Sequence, residues 1–253
     1  MRRFLLWYMP LTAALASAIF FGAGFYSFLR GDTGTSVSLL PSSTRITESA
    51  PRKQIVPIIV GDSLGRGTGD ETGLGIGGRF VDELRQRHID TKNIVNIAIN
   101  GARTRDLIQQ LASHNIQTLL AQSNVIIVSI GGNDLWGDNT FRNAPPPNPE
   151  AVMRDVLDRV DQSVRTIRGA NSSARIFVVG LYNPFSSTPY GKMLTPFVNR
   201  WNSLLVERFA NDPNVVVVQT SDIFAYRDRL SFDRFHPGQE GYSLIARRIA
   251  DAI

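Results

Sequence analysis

Four short segments carry the residue types on which chemistry could be built. Gly61-Asp62-Ser63-Leu64 follows an apolar run, so its serine stands where a buried strand gives way to a turn. A serine is a weak nucleophile alone and needs a base within hydrogen-bond reach. His236 has the right neighbours for that base, with Asp233 three residues before it and Pro237-Gly238 after it. This spacing lets an aspartate hold one imidazole nitrogen while the other takes the serine proton. The remaining histidines, His88 and His114, sit in polar, helix-end contexts. Asn100-Gly101 and Gly131-Gly132-Asn133-Asp134 close two further apolar runs. A glycine lets backbone N–H approach a ligand closely, and an asparagine amide can donate to an oxygen gaining negative charge. Taken singly, each segment is also an ordinary turn, helix cap or strand-to-helix corner.

The elements between these segments must bring them together. Five runs rich in β-branched residues read as strands: Ile55 to Val60, Ile94 to Ile99, Val125 to Ile130, Ile176 to Leu181 and Val215 to Gln219. Their near-continuous hydrophobicity fits strands buried on both faces of a parallel sheet. Pro57 is tolerable only near the start of the first. Helical spacing marks Phe80, Val81 and Leu84, then Thr104 to Leu111, Glu150 to Arg168, Lys192 to Ala210 and Gln239 to Ile253. Alternation of this kind predicts an α/β fold: a doubly wound, flavodoxin-like, five-stranded parallel sheet with helices on both faces. In such sheets the reactive loops gather at the carboxyl ends of the strands. All four segments lie at such ends or in the loop before the last helix.

In their order and content the four segments resemble the SGNH hydrolases, also called GDSL esterases and lipases. The blocks are Gly-Asp-Ser-Leu at 61–64, Asn-Gly at 100–101, Gly-Gly-Asn-Asp at 131–134 and Asp-Arg-Phe-His-Pro at 233–237. The likeness spans essentially everything after residue 53. It implies Ser63 as nucleophile, with Asp233 and His236 completing a triad. It also implies an oxyanion hole from the backbone N–H of Ser63 and Gly101 and the side chain of Asn133. The implied activity is hydrolysis of carboxylic esters of lipids or O-acetylated envelope glycans, without cofactor. Alternatives are acyl transfer to a sugar hydroxyl, or a silent binding domain, which would ordinarily have lost one of Ser, Asn or His. Leu64, Trp136, Tyr182 and Phe185 are candidates for holding the substrate; the aromatic three, placed by the sheet rule, fit equally a local core beneath the loops.

The N-terminus reads differently. Arg2 and Arg3 precede a charge-free apolar run from Phe4 to Leu29. That is long enough for a transmembrane helix, which needs about 20 apolar residues. The expected organisation is a transmembrane signal-anchor at 1–30, a Ser/Thr/Gly/Pro linker at 31–53 and a hydrolase domain at 54–253. Arginines before the span place the domain outside the cytoplasm. Cleavage near Ala16-Ser17-Ala18, giving a secreted protein, is the alternative.

Composition removes other classes. Hydrophobic residues make up 43% of 253, enough for a sizeable core, and cysteine is absent, which excludes disulfides and thiolate chemistry. A net charge of +5 without a clustered basic face speaks against nucleic acid as a partner. The chain is expected to act as a monomer. Gly73-Leu74-Gly75-Ile76-Gly77-Gly78 spells G-x-G-x-x-G, but does not directly follow a strand, so no dinucleotide site is expected. Asp70-Glu71 reads as a solvated loop pair rather than a metal site. Asn171-Ser172-Ser173 spells a glycosylation acceptor and equally an ordinary turn.

Overall fold

A computed structural model describes residues 2–30, 54–136, 147–186 and 188–253, with backbone alone at 2–10, 28, 190 and 227. The chain divides into two units, Met1–Ala50 and Pro51–Ile253. The linker expected at 31–53 and part of the proline-rich stretch at 144–149 lie outside the described residues.

In the first unit, Arg2–Leu29 forms one continuous helix, α1. Leu11, Leu15, Ile19, Phe20, Phe21 and Phe25 are exposed on it. Among the described residues no helix is long and apolar enough to cross a membrane. The transmembrane part of the expected fold is therefore not met there.

The second unit is the expected doubly wound α/β domain. Its strands are β1 (Pro57–Gly61), β2 (Val95–Asn96), β3 (Val125–Ser129), β4 (Arg175–Val179) and β5 (Val215–Val218). They are all parallel, in the order β2-β1-β3-β4-β5. Pro57 takes the first position of β1, where a missing N–H is tolerated. Between and after the strands come α2 (Ser63–Arg66), α3 (Gly75–Gln86), α4 (Thr104–Leu111), α5 (His114–Gln122), α6 (Gly132–Trp136), α7 (Pro149–Ala170), α8 (Pro189–Phe209) and α9 (Gln239–Ala250).

Strand side chains alternate faces, and both faces are covered. Ile58, Val60, Ile126, Val128, Ile176 and Val178 pack with Leu107, Val160, Val164 and Trp201 from α4, α7 and α8. Ile59, Ile127, Phe177 and Val179 pack with Phe80 and Leu84 of α3 and Tyr242, Ile245 and Ile249 of α9. Order reverses around β1, so the crevice lies outside the carboxyl ends of β1 and β3.

Several boundaries differ from the sequence reading. β2 is only two residues long, although the N–H groups of Ile97 and Ile99 still reach Ile59 and Gly61 carbonyls of β1. The side chain of Asn96 ends it, accepting from Ala98 N at 3.1 Å and donating to the Gly65 carbonyl at 3.1 Å. α5 had no clear signal, because only Leu120 of its residues is fully buried. Asn171 is no free glycosylation acceptor. Its amide donates to the carbonyls of Leu120 and Ser123, and its oxygen accepts from Ser173 and Ala174, so the side chain is spent closing the end of α5.

Candidate active site

β1 ends at Gly61, whose φ of +127° suits glycine. A Cβ there would lie 1.8 Å from the Ser129 carbonyl oxygen of β3. Asp62 then caps α2, accepting the N–H of Leu64 at 3.1 Å and the hydroxyl of Ser129 at 2.9 Å. Burial pushes its carboxyl up to about 6, against those two bonds. Ser63 is the first residue of α2, half-buried at the carboxyl end of β1.

His236 Nε2 lies 2.9 Å from Ser63 Oγ, across 173 residues of chain. Its Nδ1 lies 2.6 Å from Asp233 Oδ2. The other oxygen of Asp233 accepts from Ser231 Oγ, Phe235 N and His236 N at 2.7 to 2.9 Å. Burial opposes the charge, yet these donors and the imidazole hold the Asp233 carboxyl well below the usual range. An ionised acceptor on Nδ1 keeps a proton there and leaves Nε2 to receive one from the serine.

The loop carrying this pair is braced from three sides. Leu230 and Pro237 form an antiparallel bridge, and Ser231 N donates to the His236 carbonyl at 2.8 Å. The Tyr182 hydroxyl donates to the Phe235 carbonyl at 2.7 Å, and the Phe235 ring meets the imidazole edge-on at 5.0 Å. Gly69 lies so close that a Cβ on it would come within 2.8 Å of His236 Cβ.

Opposite stands the second rim. Asn133 of α6 donates one amide hydrogen to the Ala102 carbonyl at 2.9 Å, which leaves its second for a ligand. Asp134 accepts from Thr104 N at 2.9 Å and Thr104 Oγ1 at 2.6 Å, tying α6 to the start of α4. Between them Gly101, exposed at φ +78°, turns the chain. Among the described residues no protein acceptor takes the N–H of Ser63 or Gly101. Such fixed donors can stabilise the oxyanion of a tetrahedral intermediate.

A cleft of about 480 Å³, open solvent included, runs between these groups. Ser63, His236 and Asn133 line it with Leu64, Ile130, Trp136, Leu181, Tyr182 and Phe235, among others. With a nucleophile, its base and an apolar wall in one cleft, the arrangement can carry out acyl transfer.

Comparison with known proteins fits this geometry. The family model of the GDSL-like lipase/acylhydrolase family matches residues 59–244. This chain belongs to that family. The uncharacterized protein YpmR of Bacillus subtilis is 32% identical over 215 residues, covering 81% of this chain and 84% of its own. Spore germination lipase LipC of Bacillus licheniformis is 23% identical over 206 residues, covering 76% and 93%. Among solved structures, the lipase Lip_vut3 from a goat rumen metagenome has the same fold. Its TM-score is 0.69 at 21% identity, covering 78% of this chain and 97% of that one. The protein is a GDSL-type carboxylic ester hydrolase.

Of the substrate candidates for this GDSL hydrolase, the structure puts Leu64, Trp136 and Tyr182 on the cleft wall and not Phe185. Phe185 stands behind, packed on the core and 5.9 Å from the ring of Phe235. Sequence reasoning also missed a brace. Asp70 is no solvated residue, since its side chain is fully buried and paired with Arg79 at 3.0 Å. It also accepts from Thr72 and Gly75, while Arg79 reaches Ser243 of α9 at 3.1 Å. That pair anchors the loop bearing Gly69 beneath the histidine. No sequence pattern pointed to it, since the two stand nine positions apart and Arg79 is also held by Ser243 of α9. The glycines at 73–78 belong to the same loop and the start of α3.

Proposed function

We propose that this enzyme cleaves esters through an acyl-Ser63 intermediate, with His236 as general base and acid and Asp233 fixing its tautomer. The continuous contact from Asp233 through His236 to Ser63 is the observation that carries the reading. Ser63 Oγ attacks the ester carbonyl while its proton passes to His236 Nε2. The N–H groups of Ser63 and Gly101 and the Asn133 amide hold the oxyanion. Collapse transfers the proton to the departing alcohol and leaves the acyl group on Ser63. Water then attacks, giving its proton to His236, and the second collapse returns a proton to Ser63 with release of the acid. An organophosphonate ester probe tests this directly: it should modify the wild type at Ser63 and spare Ser63→Ala. Equal labelling of both would place the nucleophile elsewhere.

Asn133→Ala is expected to lower kcat by about 10²–10³ with little change in KM, because the oxyanion exists only in the transition state. Steady-state kinetics on a p-nitrophenyl ester would check it. A loss confined to KM would remove Asn133 from that role.

The substrates we propose are esters of lipids or O-acetylated glycans in or beside the cell envelope, and the name of the LipC relative supports an acyl ester. The enzyme would be held there by the helix at Arg2–Leu29, with the domain outside the cytoplasm. Support comes from Arg2 and Arg3 before a charge-free run and from exposed large apolar side chains along α1. Such side chains stand in water only at a cost of about 25 cal/mol per Å². Fractionated cells should keep the full-length protein in the membrane pellet through an alkaline wash. Release by that wash, or a shortened form in the medium, would refute the anchor.

A further inference from the structure

Trp136 lines the cleft and also a second, smaller apolar space. That space, about 200 Å³ with open solvent included, is lined by Leu135, Trp136, Met153, Leu181, Phe197, Val198 and Trp201. Trp136 and Leu181 face both volumes, so these two side chains form the partition. The inner space is narrow, with room for little more than about one water. Among the described residues the buried indole N–H of Trp201 finds no acceptor.

Position makes the partition matter. Trp136 and Asn133 are three residues apart on α6, hence on one face of that helix and roughly 4.5 Å apart along it. An acyl carbonyl oxygen held by the Asn133 amide therefore starts its chain within a few carbons of the indole. Trp136 itself is only 9% exposed and belongs to the core, so it is wedged rather than free to swing aside. We infer that Trp136 is the residue that sets acyl length, stopping the chain at short acids of about two to four carbons and closing off the space before Trp201. The inference rests on the acyl-Ser63 reading and narrows its substrate class to short-chain esters, acetyl among them.

The test is a series of p-nitrophenyl esters from acetate to dodecanoate, run on the full chain as wild type, Trp136→Leu and Trp136→Leu/Val198→Phe. Wild type should work best on the short members. Shortening the indole joins the two spaces, and each newly buried methylene strengthens transition-state binding by about fourfold. The octanoate-to-acetate ratio of kcat/KM should thus rise at least about tenfold in Trp136→Leu. Filling the inner space from the far side with Val198→Phe should bring the ratio back towards wild type. Trp136→Phe keeps most of the core volume and should move the ratio the same way by less, which covers the case where Trp136→Leu does not fold. A wild-type optimum at octanoate or longer overturns the inference, as does a uniform fall across the series in the variants. Failure of the esterase reading is distinct, because wild type would then turn over no member and would not take the phosphonate on Ser63.

Discussion

Replacing either Ser63 or His236 with alanine should lower kcat on a p-nitrophenyl ester by on the order of 10⁶, and replacing both should cost little more. The reason is geometric. Ser63 Oγ has its base at 2.9 Å, and that base has its carboxylate at 2.6 Å, so the three groups work as one unit. Removing any member disables the proton path that the others serve. Asp233→Asn should lose less, on the order of 10⁴, because the nucleophile and base remain while the amide favours the wrong tautomer. Three donors converge on the other oxygen of Asp233, and asparagine can keep accepting them, so the loop should hold its shape. Steady-state rates for the single and double variants decide the matter. Losses that multiply in the double variant would show two independent functions rather than one.

Gly61→Ala should deprive the domain of its fold rather than of its chemistry. The new methyl would fall 1.8 Å from the Ser129 carbonyl oxygen, at a backbone φ of +127° that side chains rarely adopt. Relief requires β1 and β3 to part where Gly61 is paired with Ser129, and would break the bond from Asp62 N to Ser129 O at 2.8 Å. A cost of at least about 4 kcal/mol is expected, the range reserved for severe core lesions. For a domain of this size that is a fall in Tm of about 8–16 °C, read by circular dichroism. An unchanged melt would mean the strand end is far more plastic than its packing indicates.

Much of this architecture was legible in the sequence because its signals are local. The five β-branched runs each contain a strand, and the central ones are unbroken apolar stretches because they are buried on both faces, whereas β2 at the edge keeps only Val95–Asn96. Thr104–Leu111 and the start of α9 at Gln239 also fell where periodicity put them. Ser63 and Asn133 stood out by residue type at strand ends, and His236 in the loop before the last helix. What escaped depends on side-chain contacts that residue type and periodicity do not encode. Asp70 looked solvated in its Gly/Thr loop and proved to be buried against Arg79. Asp134 was legible as part of a motif, but not as the acceptor for Thr104. Asn171 spelled a modification signal while its amide was committed to the end of α5. Phe185 followed the right strand, yet hydropathy cannot separate a ring on the cleft from one a layer behind.

The separation of 173 residues between nucleophile and base has a consequence for biosynthesis. Ser63 is made early, but His236 arrives with the last twenty or so residues of 253. Until α9 follows, the faces of Phe80 and Leu84 that it covers stay bare. A nascent chain that carries Ser63 therefore has no means of ionising it. Proton transfer from Ser63 to His236 therefore waits until translation is nearly complete.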